Sequence, residues 1–227
     1  MFSYYGSKSK IVDYYPPPKH DKIIEPFAGS ARYSLKYFSK EVTLIDKYDV
    51  IVRLWKWLQQ CSPNDILKLP NIEKGTDIRT LGLTEEERFL IGFCIGRGNQ
   101  YTLHMAGDFN DWKTDKKRIA EQLYKIKHWT IKQGCYKDIE NVESTWFIDP
   151  PYEVGGYKYK HSEIDFNDLA EWCKNRNGQS IVCENTKATW LPFKPMIKMS
   201  GCQTTTTEAI WSNHKTNYDA VQQSLQF

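Results

Sequence analysis

Residues 147–157, FIDPPYEVGGY, place a carboxylate, two prolines and an aromatic ring at four consecutive positions. The apolar residues before Asp149 are typical of the end of a buried strand. Because neither Pro150 nor Pro151 can donate a hydrogen bond to a neighbouring strand, we expect the strand to stop there. Asp149 would then lie at a strand's carboxyl end, where ligands bind in open α/β sheets. Aspartate and proline are also common in turns, so these residues alone are equally consistent with a plain turn.

A second set of residues has the order expected of a nucleotide-like cofactor site. A short apolar strand within residues 21–30, DKIIEPFAGS, leads into a turn of small residues, where Gly29 would let the backbone approach a ligand closely. The next predicted strand, EVTLID, ends at Asp46, about 20 residues after that turn, the usual position of an acid that binds ribose hydroxyls. A glycine turn alone is weak evidence, but the turn, the spaced acid and DPPY in that order are strong evidence.

The pattern of apolar residues predicts the sheet that would position these groups. Strands and helices alternate through residues 21–60, which is typical of a parallel sheet with right-handed crossovers. Further strands are predicted over 129–134, 144–149, 179–184, 196–199 and 208–213, and helices over 83–96, 114–127 and 164–175. We expect a doubly wound, mostly parallel Rossmann-like α/β fold. Its catalytic domain would comprise residues 1–60 and 128–227, with a helical insertion at residues 61–127.

Composition narrows the class of protein. The 227 residues include 26% charged and 40% hydrophobic residues, as in ordinary soluble globular proteins. No apolar run is long enough to span a membrane, and the N-terminal residues lack the apolar core of a signal peptide. The six cysteines include no CxxC pair, which argues against a zinc site and for reduced thiols. We therefore expect a cytoplasmic protein that uses no metal ion.

The positive charge is concentrated in one part of the chain, although the net charge is only +3. Residues 109–137 contain seven lysines and one arginine against two aspartates and one glutamate, with aromatic residues interleaved. Such a run is usually a solvated helix face. It also has the composition of a surface that follows nucleic-acid phosphates, so both interpretations stay open here.

The motifs together resemble those of the DNA N6-adenine methyltransferases of the Dam-like family, in particular its small phage-type members. The family's opening motif, an aromatic residue followed closely by Gly-x-Lys, is similar to YYGSK at residues 4–8. Its cofactor loop is similar to EPFAGSARYSL at residues 25–35, and its ribose-binding acid to Asp46 in LIDKYD. Its catalytic motif is similar to DPPY at residues 149–152. The resemblance covers almost the whole chain and is weakest over residues 61–112.

The resemblance continues towards the C-terminus, with one departure near the start. IVCENTKATWLPF at residues 181–193 and EAIWSN at residues 208–213 are similar to the end of the family's sequences. The family's cofactor loop often reads F-x-G-x-G, whereas Ala31 stands here in place of the second glycine.

The resemblance implies S-adenosylmethionine as the cofactor, double-stranded DNA as the partner, and a bacterial or phage-infected cell as the setting. The residues it implies for the cofactor are Tyr4, Gly6, Lys8, Glu25, Phe27, Gly29, Asp46 and Asp149. Those it implies for catalysis are Asp149, Pro150 and Tyr152. The insertion would recognise the target DNA. The residues whose type and position suit contacts with DNA are Arg97, Asn99, Gln100, Tyr101, Lys113, Lys116, Lys117, Arg118 and Tyr157. Like Tyr157, Tyr159 could line a base pocket or pack on the core.

The catalytic motif suits this chemistry in its own right. The N6 amine of adenine is a poor nucleophile, because its lone pair is delocalised into the ring. The Asp149 carboxylate and the Pro150 carbonyl could accept hydrogen bonds from the amine and localise the lone pair, and the rigid prolines would preorganise both acceptors. Tyr152 could stack on the base, which must be flipped out of the duplex to be reached.

Three other functions are open on the sequence alone. N4-cytosine methylation uses the same amine chemistry and a similar motif, often with serine at its first position, so Asp149 favours adenine. A DNA-binding protein without catalysis would fit Ala31, but the intact Asp149, Tyr152, Asp46 and Lys8 argue against it. A nicotinamide-dependent enzyme would also use a small-residue turn and a spaced acid, but the sequence has DPPY and lacks GxGxxG.

Overall fold

A single mixed sheet organises the chain, of which the computed structural model describes residues 1–96, 99–108, 111–200 and 205–214. Its strands are β1 (Lys22–Glu25), β2 (Glu41–Asp46), β3 (Thr130–Gln133), β4 (Ser144–Ile148), β5 (Gly178–Asn185), β6 (Lys194–Ser200) and β7 (Thr205–Ser212). The strand order is β3-β2-β1-β4-β5-β7-β6. The first five strands pair in parallel, and β7 runs antiparallel to β5 and β6. The doubly wound, mostly parallel Rossmann-like α/β fold is confirmed.

The helices begin and end close to their predicted positions. They are α1 (Arg32–Lys36), α2 (Asp49–Gln60), α3 (Pro63–Leu67), α4 (Glu85–Ile95), α5 (Trp112–Gln122) and α6 (Phe166–Lys174). The short helix α3 was not predicted, and the last predicted turn of α5 is a 3-10 helix. At the start of α4, the Thr84 hydroxyl accepts from the Glu87 N–H, and the Glu87 carboxylate accepts from the Thr84 N–H. These two bonds form a capping box, for which the sequence has threonine and glutamate at the required spacing.

Helices cover both faces of the sheet. Phe147 of β4 belongs to a large core cluster with residues of α2, α4 and α5, whereas Trp146 and Ile148 pack in a second cluster with residues of α6. This alternation is the period of two expected of a β-strand. Because both faces are covered, all five residues of β4 are buried.

The reversal of strand order creates the crevice in which the site lies. β1 pairs with β2 on one side and with β4 on the other, so the chain switches direction across the sheet between β1 and β4. Ligands of doubly wound folds bind outside the carboxyl ends of the strands at such a point. Asp149 follows β4 at this edge. Because β7 is antiparallel, its beginning lies at the same edge, with Glu208 opposite Asn185 at the end of β5.

The segment of residues 61–127 is helical in the parts that the structure describes. Besides α3, α4 and α5, the described part contains short 3-10 helices and an isolated bridge between Asp77 and Met105. The role of this segment in target recognition stays a prediction. No helix among the described residues is both long and apolar enough to cross a membrane.

Lys116, in the basic stretch, has a structural role that the sequence does not predict. It is 8% exposed, and its ammonium donates to the Leu69 carbonyl at 2.7 Å and to Asn71 Oδ1 at 3.1 Å. The side chain thereby ties α5 to the residues that follow α3. The contact of Lys116 with a phosphate stays a prediction, and its ammonium already donates to two protein oxygens.

We expect Lys116→Met to lower the free energy of unfolding by about 2 kcal/mol, since hydrogen bonds from a charged group are lost and a carbonyl loses its partner. Lys117→Met, on the exposed side of the same helix, is the matched control and should change stability by about 0.5 kcal/mol or less. Urea denaturation of both variants measures the difference. Equal effects would contradict the structural role of Lys116.

Candidate active site

One cleft at the carboxyl edge of the sheet gathers the predicted cofactor residues. Its empty space, up to and including the open mouth, is about 1160 Å³. It is lined by the N-terminal segment, the β1–α1 loop, the end of β2, the turn after β3, and parts of residues 149–165. All eight residues predicted to bind a cofactor line this one cleft: Tyr4, Gly6, Lys8, Glu25, Phe27, Gly29, Asp46 and Asp149. Their contacts with a ligand stay a prediction.

The glycine turn and the acid at the end of β2 are joined directly. The Gly29 N–H donates to Asp46 Oδ2 at 2.9 Å, and the Tyr48 N–H donates to Asp46 Oδ1 at 2.9 Å. Gly29 has a φ of +44°, and a Cβ there would lie 3.1 Å from the Tyr4 ring. Side chains are strained in this conformation, so glycine suits the position. Burial raises the pKa of Asp46 to about 6, even though the backbone N–H groups favour its charged form.

Ala31 occupies a backbone conformation that glycine adopts without strain. Its φ and ψ are both 45°, in the left-handed region, immediately before α1. For a residue with a Cβ this conformation costs roughly 1–2 kcal/mol. Ala31 is 2% exposed, so its methyl group packs in the core. Although Ala31 stands in place of the second glycine of F-x-G-x-G, the loop keeps the backbone conformation that glycine favours.

Glu25 lines the cleft but directs its carboxyl group at the backbone of α1. It is 2% exposed, and its Oε1 accepts from the Ser34 N–H at 2.7 Å. That N–H belongs to the first turn of α1, where the helix offers no partner of its own. Burial raises the pKa of Glu25 to about 8. The carboxyl group thus joins β1 to α1 directly beneath the cofactor loop.

Lys8 is the buried charge at the centre of the site. It is 6% exposed, and its Nζ lies 3.0 Å from Asp149 Oδ1 and 3.2 Å from Glu208 Oε1. The same ammonium donates to the Tyr152 hydroxyl at 2.5 Å. Burial alone would lower the pKa of Lys8, but the carboxylates of Asp149 and Glu208 raise it above its ordinary value. Lys8 is therefore a fixed cation behind Asp149.

Asp149 is paired with Lys8 on one side, and its other side is open to the cleft. Its side chain is 23% exposed, and Lys8 is its ion-pair partner. Burial raises the pKa of Asp149 to about 6, with Lys8 opposing this and Glu208 adding to it. At neutral pH the group is a carboxylate, which can accept hydrogen bonds from a ligand in the cleft.

Tyr152, which is predicted to stack on the base, is held in the structure by its hydroxyl group. Its hydroxyl accepts from Lys8 and donates to Glu208 Oε1 at 2.6 Å, and the Lys8 ammonium lies 4.6 Å from its ring centroid. Pro151 lines the cleft, whereas Pro150 and Tyr152 are not among its lining residues. Stacking of a base on Tyr152 stays a prediction, and the structure adds a second role for its hydroxyl.

Tyr159 forms an aromatic wall of the cleft, which is one of the two roles that the sequence allows for it. It lines the cleft, and its hydroxyl donates to the Tyr5 carbonyl at 3.2 Å. A Cβ on Gly6 would lie 2.3 Å from that hydroxyl. The glycine of the opening motif is therefore required where Tyr159 crosses the N-terminal segment. Tyr157, in contrast, is 78% exposed.

A buried carboxylate also fixes the chain after the catalytic motif. Glu184 of β5 is fully buried, and its Oε1 accepts from the Glu153 N–H at 2.6 Å. The Glu153 carboxylate in turn accepts from the Thr189 N–H at 2.9 Å. Residues 149–153 are thus joined to the end of β5 and to the loop after it.

The predicted DNA-binding residues fall into several environments. Tyr101, Lys113 and Lys117 are exposed, like Tyr157. Asn99 and Gln100 are partly buried, and the Asn99 amide donates to the Gly96 carbonyl at the end of α4, at 2.7 Å. Arg97 lies outside the described residues.

Arg118, whose contact with a phosphate stays a prediction, also bonds within the protein. Its guanidinium donates to the Met1 carbonyl at 2.9 Å and to Asp115 at 2.5 Å. The charge is thus paired within the protein, and the side chain joins α5 to the first residue. Among the described residues, no group of three or more His, Cys, Asp or Glu side chains could hold a metal ion.

Comparisons with known proteins give a weak likeness. No protein-family model matches the chain, and no curated protein matches it. Among solved structures, yhhF from Escherichia coli, titled "Putative methyltransferase", is 11% identical with a TM-score of 0.37, over 83% of this chain and 74% of that one. HI0767 from Haemophilus influenzae, titled "putative methylase", is 11% identical with a TM-score of 0.38, over 86% and 80%. Likeness at this level says nothing about activity.

Glu25 should make stability depend on pH in a defined direction. A carboxyl group whose pKa is raised from 4.5 to about 8 by burial holds its proton more tightly in the folded protein. Its stabilising contribution is therefore complete below pH 4.5 and is lost as the pH rises through 8. In Glu25→Gln an amide oxygen still accepts from Ser34, and no charge develops. Between pH 4.5 and 8 we expect the parent to lose up to ~5 kcal/mol relative to the variant, as measured by urea denaturation. If the stabilities of the parent and of Glu25→Gln changed equally with pH, the raised pKa of Glu25 would be contradicted.

Proposed function

We propose that the protein is an S-adenosylmethionine-dependent DNA methyltransferase that acts on the N6 amine of a flipped-out adenine. The observation that carries the proposal is the position of Asp149. This carboxylate lies at the end of β4, is partly exposed to the cleft and is backed by Lys8. The same cleft is lined by the Gly29 turn and by Asp46. A fixed hydrogen-bond acceptor beside a nucleotide-like site is what methylation of a base amine requires.

The residues at the other end of the cleft fit a nucleoside-containing methyl donor. The Gly29 turn lines the cleft, and its missing Cβ lets the Tyr4 ring pack against the backbone there. Asp46 already accepts one backbone hydrogen bond on each carboxylate oxygen, and each oxygen has a further lone pair for a ribose hydroxyl. S-adenosylmethionine supplies an electrophilic methyl group on a positively charged sulfur. Tyr4, Gly6 and Phe27 complete the proposed binding surface.

Asp149 would act on the amine and not on the donor. Its carboxylate accepts an N–H of the adenine amine, with the Pro150 carbonyl as the second acceptor, so the nitrogen lone pair is directed at the methyl carbon. The new C–N bond forms from that lone pair, and the electrons of the broken S–CH₃ bond stay on sulfur. The positive charge thus passes to the amine, which loses one proton to Asp149 and from there to water. Preorganised acceptors of this kind stabilise charge where it develops in the transition state.

The amine is shielded in a base pair, so the proposal requires the adenine to leave the duplex. Tyr159 gives the cleft an aromatic wall on the side of the N-terminal segment. Tyr152 follows Asp149 closely and is the predicted partner for stacking. Aromatic side chains of this kind hold a flipped base by stacking on it.

We expect Asp149→Asn to reduce the single-turnover rate of methyl transfer by roughly 100-fold or more, because the amide is a weaker acceptor and cannot take the proton. Donor affinity, measured by calorimetry, should change by less than about threefold, which is under 1 kcal/mol. The parent's rate should fall as the pH falls through about 6, where Asp149 becomes protonated. Glu171→Gln, an exposed carboxylate on α6, is the control and should keep the parent's rate. An Asp149→Asn rate close to that of the parent would refute the role of Asp149.

The DNA is proposed to lie across residues 99–108 and α5. Lys113 and Lys117 are exposed and four positions apart, so they share one side of that helix. Tyr101 of the irregular segment is also exposed, as a residue that contacts bases would be. Lys116 and Arg118 are left out of the proposed surface, because their charged groups already bond to protein oxygens.

Replacing Lys113 and Lys117 together with glutamine should reduce the slope of log affinity against log salt by about two units, one for each lost phosphate contact. Lys174→Gln is the matched control, since α6 packs on the opposite face of the sheet from α5. Binding of a duplex is measured over a salt series by fluorescence anisotropy. A double variant with the parent's slope would place the DNA elsewhere.

A further inference from the structure

Glu208 is a buried carboxylate of the site that the motifs do not include. It is 3% exposed and enters from β7, the antiparallel strand, opposite Asn185 at the end of β5. Its Oε1 accepts from the Tyr15 hydroxyl and from the Tyr152 hydroxyl, both at 2.6 Å, and lies 3.2 Å from Lys8 Nζ. Burying a carboxylate is costly unless it is paired in this way.

The hydrogen bonds around Glu208 indicate which groups of the network donate and which accept. An ammonium has three donors, and the Lys8 ammonium has three partners: Asp149, Glu208 and the Tyr152 hydroxyl. Because the Tyr152 oxygen accepts from Lys8, its own proton goes to Glu208. Glu208 therefore serves only as an acceptor, which is the role of an ionised carboxylate.

We infer that Glu208 is a positioning residue for methyl transfer, which keeps the Lys8 ammonium shared between two carboxylates and leaves the site with a net charge of −1. The inference rests on the proposed function. Lys8 and Asp149 alone would form a neutral pair, with the ammonium directed wholly at the carboxylate that must accept from the amine. With Glu208 present, Asp149 keeps its capacity as an acceptor while positive charge develops on the amine nitrogen.

The surroundings of Asp149 support this division of charge. The titratable groups that face it are Lys8 of the N-terminal segment, Tyr15, Glu25 of β1, Tyr152, Tyr159, Cys183 of β5 and Glu208 of β7. Among them Lys8 lowers the pKa of Asp149 and Glu208 raises it. Removing the charge of Glu208 should therefore lower the pKa of Asp149, as Lys8 turns fully towards it.

The test compares Glu208→Gln, which keeps the shape and removes the charge, with Glu171→Gln, which makes the same change on the exposed side of α6. Three quantities are measured: donor affinity by calorimetry, the single-turnover rate with duplex DNA, and the titration of the ¹³C-labelled Asp149 carboxylate by NMR. For Glu208→Gln we expect a rate lower by about 100-fold, an affinity changed by less than about threefold, and a lower Asp149 pKa. Glu171→Gln should keep all three close to the parent's values.

An unchanged rate and an unchanged Asp149 titration in Glu208→Gln would overturn the inference. A parallel loss of donor affinity and rate, with Asp149 titrating as in the parent, would also overturn it by showing a general structural role. If Glu208→Gln lacks a cooperative unfolding transition, Glu208→Asp is used, whose shortened carboxylate should lower the rate by about tenfold while affinity is kept. Failure of the parent to methylate DNA would refute the proposed function. The Asp149 titration would still decide whether Glu208 shares the Lys8 ammonium with Asp149.

Discussion

The ammonium of Lys8 is the charge on which the arrangement of the site depends. A buried ion costs several kcal/mol of desolvation unless hydrogen bonds and opposite charge offset it. Lys8 obtains them from Asp149 after β4, from Glu208 on β7 and from the Tyr152 hydroxyl. Distant parts of the chain must therefore meet at one point before this charge is stabilised. The requirement ties the position of the N-terminal segment to the closure of the sheet at β7.

The other half of the cleft is built mainly by backbone groups. The Gly29 and Tyr48 N–H groups fix the Asp46 carboxylate, and the Ser34 N–H fixes the carboxyl group of Glu25. These acids therefore shape the loop that follows β1, whatever ligand the cleft holds. In the proposed enzyme, backbone N–H groups therefore shape the site for the methyl donor. The buried ion pairs of Lys8 fix Asp149, the proposed hydrogen-bond acceptor beside the base.

Much of this could be predicted from the sequence, because the signals are local. The strand that ends at Asp46 and the strand that ends just before Asp149 follow from short apolar runs, and the prolines mark where β4 must stop. The resemblance to a family motif selected the eight cofactor residues, which the fold brings to one cleft. Glu208 was missed, since its role depends on β7 running antiparallel and entering at the carboxyl edge. The signal available was a charged residue beginning an otherwise apolar strand segment. The internal bonds of Lys116 and Arg118 could not be predicted, because a run of charges does not show which side chains make tertiary contacts.

The most direct test of the account is the identity of the product. The parent protein is incubated with duplex DNA and S-adenosylmethionine carrying a labelled methyl group, and the DNA is digested to nucleosides and separated. The position of Asp149 in the cleft, backed by Lys8, predicts label in N6-methyladenine. Label in N4-methylcytosine would contradict the choice of base, and DNA without label, from a protein that binds the donor, would contradict methyl transfer to DNA altogether.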